Sequence, residues 1–363
     1  MRAALSAVAA HSAASLKAIF VVGGGAAGLS AALVLGRARQ RTLVIDAGAQ
    51  SNLAAEGIGG LLGQDGRSPA AVYAAEREEL ARYPSVQLLD ADVLRGERGG
   101  DGFGLELADS GRATARRVVL ATGMEYRYPA LPGIAERWGR SVFHCPFCHG
   151  WEVRGKRLAV LDRGATGVHR ALLLRTWSES VTLLTDGPSE RDSAEAQRLH
   201  AAGIPIDERP VVGLRGSDGT IEGVGFDDGT ERPLTGMLVP VTLHQRSDLP
   251  WQLGAVAKDR GPLAADAIEV DAMFQTSVPG LYAAGASWCS RPRRWPPPSP
   301  PAQPRPPCWY RAWPPKERIN RHQPRTLRET MPDSAPDDPR TPDMTMFTQP
   351  YSGTILERGW EKA

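Results

Sequence analysis

The sequence predicts an α/β chain: two doubly wound, Rossmann-like dinucleotide-binding units and a proline-rich, disordered C-terminal tail. Three observations carry that reading. An apolar strand, a glycine-rich turn and a helix run through residues 18–36, a second strand–turn–helix runs through residues 157–177, and 17 of the 30 prolines fall in residues 287–350. A length of 363 residues leaves room for two domains of ordinary size.

The first unit opens on residues 18–22, an unbroken apolar run of the kind that fills a buried strand. Gly23-Gly24-Gly25-Ala26-Ala27-Gly28 then reads G-x-G-x-x-G, and residues 29–35 follow at helical spacing. The stretch 18–36 carries no charge and is nearly as long as a membrane span, but three consecutive glycines fit a strand, a tight turn and a helix instead. Such a turn needs its first glycine for the bend and its second so that backbone N–H groups can approach a pyrophosphate. Its third lets helix and strand lie close. Residues 41–45 form the next strand, and Asp46 at its end stands 18 residues beyond Gly28, where an acid meets a ribose hydroxyl. Gly23, Gly25, Ala26, Ala27, Gly28 and Asp46 are therefore candidate cofactor contacts, and Ala47, Gly48 and Asn52 continue the set. Residues 60–66 make a polar loop and residues 70–83 a helix; 86–94 and 103–107 are strands of a smaller sheet. Residues 117–123 read as a buried strand ending in Ala121-Thr122-Gly123, small residues that let a cofactor lie against backbone. Residues 126–134, with Pro129, Pro132 and Gly133, read as a hinge.

Next comes His144-Cys145-Pro146-Phe147-Cys148-His149-Gly150-Trp151-Glu152. A C-x-x-C pair that opens a helix has one thiol acidified by the helix N-terminus, and it carries two electrons by closing and reopening a disulfide. Cys-x-x-Cys-His is also the haem-attachment pattern, but that needs an export route and an exposed loop. A structural zinc needs four ligands, and the remaining cysteines, Cys289 and Cys308, sit among prolines without partner spacing. Trp151 reads as a packing residue and Glu152 as a solvated or capping carboxylate that is also a weaker proton donor. His11, His169, His200 and His244 stand alone and read as surface or packing residues.

The second unit has its strand at 157–161, its turn at 162–167, its helix at 168–177 and its next strand at 181–184. Asp162 stands where the first glycine of a nucleotide turn belongs, and its charge opposes a phosphate. Gly164 and Gly167 remain as candidate contacts, so nicotinamide-cofactor binding and a purely structural unit both stay open. Asp186 at the end of the second strand suits a free ribose hydroxyl. Residues 222–226 and 236–240 read as strands returning to the first unit, and residues 281–285 as a strand ending in Gly285, a further cofactor contact.

The glycine turn with Asp46, the block from Cys145 to Glu152, and Thr276-Ser277-Val278-Pro279-Gly280-Leu281-Tyr282-Ala283-Ala284-Gly285 together resemble the low-molecular-weight thioredoxin reductase family. These are FAD-dependent pyridine nucleotide-disulfide oxidoreductases, and the likeness spans residues 17–285. The Cys-Pro-Phe-Cys-His-Gly-Trp-Glu form is similar to a branch that includes gliotoxin- and holomycin-type dithiol oxidases. The resemblance implies an FAD domain split over residues 17–125 and 245–285, and an inserted NAD(P)-binding-like domain at 126–244 carrying the cysteines. It implies Cys148 facing the flavin as a thiolate, Cys145 exchanging with substrate sulfur, and His149 in the place of the family's aspartate acid. Histidine suits that work because its ordinary pKa of about 6.5 allows proton gain and loss near neutrality. FAD is the implied cofactor, with NAD(P)H beside it. The implied partner is a thioredoxin-like protein or a small-molecule dithiol or disulfide, and the implied assembly is a homodimer. Reduction of a thioredoxin-like partner ranks first, and oxidation of a small dithiol by oxygen second. A non-catalytic remnant is the third reading.

Charge and cysteine use agree with a cytoplasmic protein. The chain holds 43 basic and 41 acidic residues, which gives no surface for nucleic acid or membrane, and four cysteines are too few for a disulfide scaffold. The alanine-rich residues 1–16 read as a disordered extension rather than a signal peptide. Beyond Gly285 the family continues with an aspartate and an alanine-rich helix against the flavin, whereas this chain has Ala286 and arginine–proline–tryptophan runs. Ala286-Ser287-Trp288-Cys289-Ser290 can be encoded GCG-AGT-TGG-TGC-AGC, which read from its third base gives glutamate, leucine, valine and glutamine. The tail therefore reads as a shifted frame, with a genuine proline-rich arm as the alternative. On either reading the chain is expected to bind FAD weakly or not at all.

Overall fold

The computed structural model describes residues 18–287, apart from positions 101, 109, 110 and 191. The expectations for residues 1–16, for the proline-rich tail and for its reading frame lie outside the described residues. Strand β1 (Ile19–Val22) is buried along its whole length, as is β2 (Thr42–Asp46). Between them helix α1 (Ala26–Arg37) buries Gly28, Leu29, Ala32 and Gly36 on one face. Helix α2 (Pro69–Leu80) starts where Ser68 accepts a hydrogen bond from the Ala71 N–H, with proline in its first turn. It leads to β3 (Val86–Asp90).

Strands β4 (Val93–Gly99), β5 (Gly102–Leu107) and β6 (Gly111–Ala115) make a three-stranded antiparallel sheet. The apolar run 86–94 thus divides between two sheets, broken at Ala91, whose N–H donates to the Asp46 carbonyl. Strand β7 (Arg117–Leu120) then pairs in parallel with β1. Strand β8 (Met124–Arg127) takes up the first part of what reads in sequence as a hinge.

Past β9 (Val142–Phe143) and the one-turn helix α3 (Pro146–His149), a second parallel sheet is built. Its elements are β10 (Leu158–Leu161), α4 (Gly164–Leu174), β11 (Val181–Leu184), α5 (Ser193–Ala201) and β12 (Ile206–Asp207). Helix α5, unread in the sequence, has a full capping box between Asp192 and Glu195. Strands β13 (Val211–Arg215), β14 (Gly223–Phe226) and β15 (Glu231–Pro233) form an antiparallel meander. Strand β16 (Gly236–Leu238) pairs with β10 and β9. Residues 223–226, in the meander, and 236–238, in the second sheet, therefore do not return to the first sheet; the three buried positions of 236–238 fit a central strand.

The return runs through β17 (Thr242–Gln245), antiparallel to β8. The pairing holds residues 124–127 in extended form. The short helix α6 (Leu249–Gln252) then packs Leu249 and Leu253 near Gly96 of β4, and β18 (Leu281–Ala283) closes the first sheet beside β7. The first sheet runs β18-β7-β1-β2-β3, the second β12-β11-β10-β16-β9. Phe20, Ile45 and Leu120 fill the first core; Phe143, Leu158, Leu174 and Leu183 fill the second. Each such side chain contributes about 1.5–3 kcal/mol by leaving water. No helix among the described residues is long and apolar enough to cross a membrane.

Candidate active site

The C-terminal edge of the first sheet brings most of the sequence-derived cofactor residues together. Gly23 bends the chain at φ 110°, and a Cβ there would lie 2.2 Å from the Ala121 carbonyl oxygen. A Cβ on Gly28 would stand 1.9 Å from the Gly23 carbonyl oxygen, so only glycine lets α1 lie this close to β1. Gly285, at φ 72°, approaches Ala27. No side chain caps α1: its N-cap is Gly25, so the first-turn N–H groups are left without a side-chain acceptor, as an anion-binding helix start requires. These close approaches and this uncapped turn fit a dinucleotide pyrophosphate. Substituting Gly28→Ala forces a carbon into backbone. The expected cost is about 3 kcal/mol, read as a melting temperature lower by roughly 5–10 °C.

Asp46 is buried, and its carboxylate accepts hydrogen bonds from the Gly24 and Gly48 N–H groups at 3.1 and 3.0 Å. Gln50 and Arg77 donate to the same carboxylate. Asn52 accepts from the Tyr73 hydroxyl at 2.9 Å, and burial pushes the Tyr73 phenol upward. Gln50, Tyr73 and Arg77 belong to no motif of the sequence. Tyr73 and Arg77 lie four apart on α2 and so share a face, a spacing that could have marked them; nothing marks Gln50.

Cys145 is the N-cap of α3, and Pro146 opens that turn with φ already set. The two sulfurs are 2.7 Å apart and both are half-buried. The Cys148 thiol hydrogen bond pulls the Cys145 pKa down to about 7, and the Phe147 and Cys148 N–H groups act in the same direction against burial. Cys148 is pushed upward by that shared proton, by burial and by the nearby Cys145 and Glu152 charges. Hydrogen bonding at the helix N-cap makes Cys145 the more acidic thiol of the pair. The backbone of Cys148 lies against the first lobe: a Cβ on Gly59 would be 2.4 Å from its carbonyl oxygen. Beneath α3, Trp177 meets Phe147 edge-on at 5.3 Å and comes so close to Gly150 that a Cβ there would be 2.7 Å from its ring.

His149 stacks on Phe143 with rings 5.4 Å apart and 9° from parallel, and its Nε2 faces the Gly139 carbonyl at 3.2 Å. Neither ring nitrogen hydrogen-bonds a sulfur. His144 stacks on Trp138 and lies 4.8 Å from the Tyr126 ring; burial pushes its pKa down to about 4, with His149 and Arg170 adding to the effect. Trp151, which reads in sequence as a packing residue, is instead 64% exposed, with the Arg154 guanidinium 3.9 Å over its ring. Glu152 is exposed.

Gly164 and Gly167 sit apart from this set, at the edge of the second sheet. The Gly164 N–H donates to the Ser189 Oγ at 2.9 Å, and Asp162 is ion-paired with Arg170. Asp186 accepts from the Val211 N–H at 2.8 Å and pairs with Arg163 at 3.3 Å, so the acid that reads as suited to a free ribose hydroxyl is engaged by protein groups.

Residues 17–312 match the family described as pyridine nucleotide-disulphide oxidoreductase. Thioredoxin reductase tcpT of Claviceps purpurea is 32% identical over 73% of this chain and 84% of its own length. Thioredoxin reductase sirT of Leptosphaeria maculans is 30% identical over 73% of this chain and 85% of its own. The crystal structure of an oxidoreductase from Agrobacterium tumefaciens superposes with a TM-score of 0.69 at 34% identity, covering 74% of this chain and 89% of that one.

Proposed function

Since the chain belongs to the pyridine nucleotide-disulphide oxidoreductase family, we propose that it is an FAD-dependent thiol–disulfide oxidoreductase of the thioredoxin reductase type, acting through Cys145 and Cys148. The observation that carries this is the sulfur pair itself, 2.7 Å apart, with the Cys145 pKa drawn down to about 7. The Cys145 thiolate attacks a substrate disulfide; that S–S bond breaks, one substrate sulfur leaves and takes a proton, and a mixed disulfide remains. Cys148 gives up its proton, attacks the Cys145 sulfur and releases the second substrate thiol. Two electrons have then passed to the substrate and the pair is a disulfide. Run backward, the same steps oxidise a dithiol. FAD, when bound, supplies or accepts the electron pair. His149 is the proton carrier for Cys148 in this reading, and its ring must turn from the Gly139 carbonyl to act.

The first-sheet lobe, residues 17–125 and 245–285, is the FAD-binding domain in this reading. Gly23, Gly25, Ala26, Ala27 and Gly28 hold the pyrophosphate there, and Asp46 holds the ribose. Ala47, Gly48, Asn52, Ala121, Thr122, Gly123 and Gly285 line the remainder. Residues 126–244 form the domain that carries the cysteines. A homodimer in the cytoplasm, acting on a thioredoxin-like protein or a small dithiol, completes the reading.

A second reading, small-dithiol oxidation with dioxygen as electron acceptor, draws support from the second turn. There Ser189, Arg163 and the Asp162–Arg170 pair engage the groups a nicotinamide nucleotide would need. On this reading a dithiol drives oxygen uptake, while NADH and NADPH absorbance stays flat. Nicotinamide consumption linked to disulfide reduction overturns it and favours the reductase.

A further inference from the structure

The Asp46 carboxylate is fully engaged by protein donors. Its Oδ1 accepts from the Gly24 N–H at 3.1 Å, the Gly48 N–H at 3.0 Å and the Gln50 Nε2 at 3.0 Å. Its Oδ2 accepts from Gln50 at 3.1 Å and from Arg77 at 3.0 Å. Two carboxylate oxygens offer about four lone-pair positions, and this side chain is only 8% exposed. A ribose hydroxyl can therefore reach Asp46 only by displacing a donor. The Gly24 and Gly48 donors are backbone, fixed by the turn and by the end of β2. Arg77 is tied to Asp90 as well. Gln50 is the one that can swing away. Its Nε2 also donates to the Gly24 carbonyl at 3.1 Å, and its Cγ lies 3.6 Å from where a Cβ on Gly25 would be. The side chain thus lies across the glycine turn beside the acid.

We propose that Gln50 is an internal occupant of the ribose subsite. Its carboxamide N–H holds the position on Asp46 that a ribose O–H takes, and nucleotide affinity is set by the need to expel it. The proposal rests on reading the 23–28 turn as the FAD site and adds a residue that lowers affinity there.

The test uses the full chain with ADP, which needs only the adenosine and pyrophosphate end of the site, and with 2′,3′-dideoxy-ADP, which has no hydroxyl to offer Asp46. Gln50→Ala removes the side chain; Gln50→Met keeps its length and loses the donor, so a folding defect in one does not decide the matter. By calorimetry, both variants are expected to bind ADP roughly tenfold more tightly than the parent, about 1.4 kcal/mol. They are expected to gain nothing with the dideoxy probe. ADP affinity unchanged or weakened in both variants, or an equal gain with the dideoxy probe, overturns the role of Gln50 while leaving the nucleotide site in place. Absence of ADP binding by the parent and both variants removes the site and the proposal together.

Discussion

Replacing Cys145 with serine is expected to cut thiol–disulfide turnover roughly a thousandfold or more. A hydroxyl cannot ionise near neutral pH, and no other described thiol stands beside Cys148. Cys148→Ser is expected to abolish turnover as well, for a different reason: Cys145 can still attack, but nothing resolves the mixed disulfide. The two variants therefore separate by mass spectrometry, because only Cys148→Ser accumulates a covalent adduct with substrate. Alkylation of Cys145 against pH gives an independent check. In the parent protein half-maximal reactivity is expected near pH 7, because the Cys148 thiol donates to the thiolate. In Cys148→Ala that donor is gone, and the midpoint is expected to move toward the ordinary thiol value of about 8.5. An unmoved midpoint means the acidity comes from the α3 backbone alone. Undiminished turnover in either variant removes the mechanism.

The second large effect is on stability. His144 is buried between Trp138 and Tyr126, and its pKa falls from an ordinary 6.5 to about 4. The folded state resists the proton that the unfolded chain accepts. The contribution of the neutral ring is thus complete above pH 6.5 and is lost as pH falls toward 4. The loss is on the order of 3 kcal/mol across that window. His149, also lowered by burial, acts in the same direction. Asp207, held down to about 2 by Arg209, contributes its own loss only below its ordinary 3.8, outside this range. Urea midpoints measured from about pH 7.5 to about pH 4.5 are expected to fall steeply in the parent protein and much less in His144→Phe. Parallel curves for the two proteins would set the burial argument aside.

Local chemistry decided how much of the fold could be read from the chain. The turn at Gly23–Gly28 was legible because its requirements lie within six consecutive residues, and the buried runs at 19–22, 42–46, 158–161 and 181–184 are apolar enough to stand out. Strand β6, Gly111–Ala115, was not legible: glycine, arginine, alanine and threonine alternate there without a bulky apolar face. Residues 86–94 misled because Val93 and Leu94 continue the apolar run past the break at Ala91. Around Asp46 the backbone partners follow from the motif. Gln50, Tyr73 and Arg77 arrive only when the loop after β2 and helix α2 fold over the acid, and no spacing rule specifies that closure for Gln50. Which of the two thiols is the more acidic likewise depends on three-dimensional contact, with the Cys148 side chain and the Phe147 and Cys148 N–H groups.

The joint between β8 and β17 governs how the second sheet is attached to the first. Arg127 pairs directly with Thr242 across an antiparallel ribbon, so the two backbones are about 5 Å apart where the second sheet begins and ends. More than a hundred residues are thereby hung on two neighbouring points, and the order β18-β7-β1-β2-β3 is left undisturbed. Everything between residues 127 and 242 therefore reaches the first sheet through one outgoing strand, β8, and one returning strand, β17.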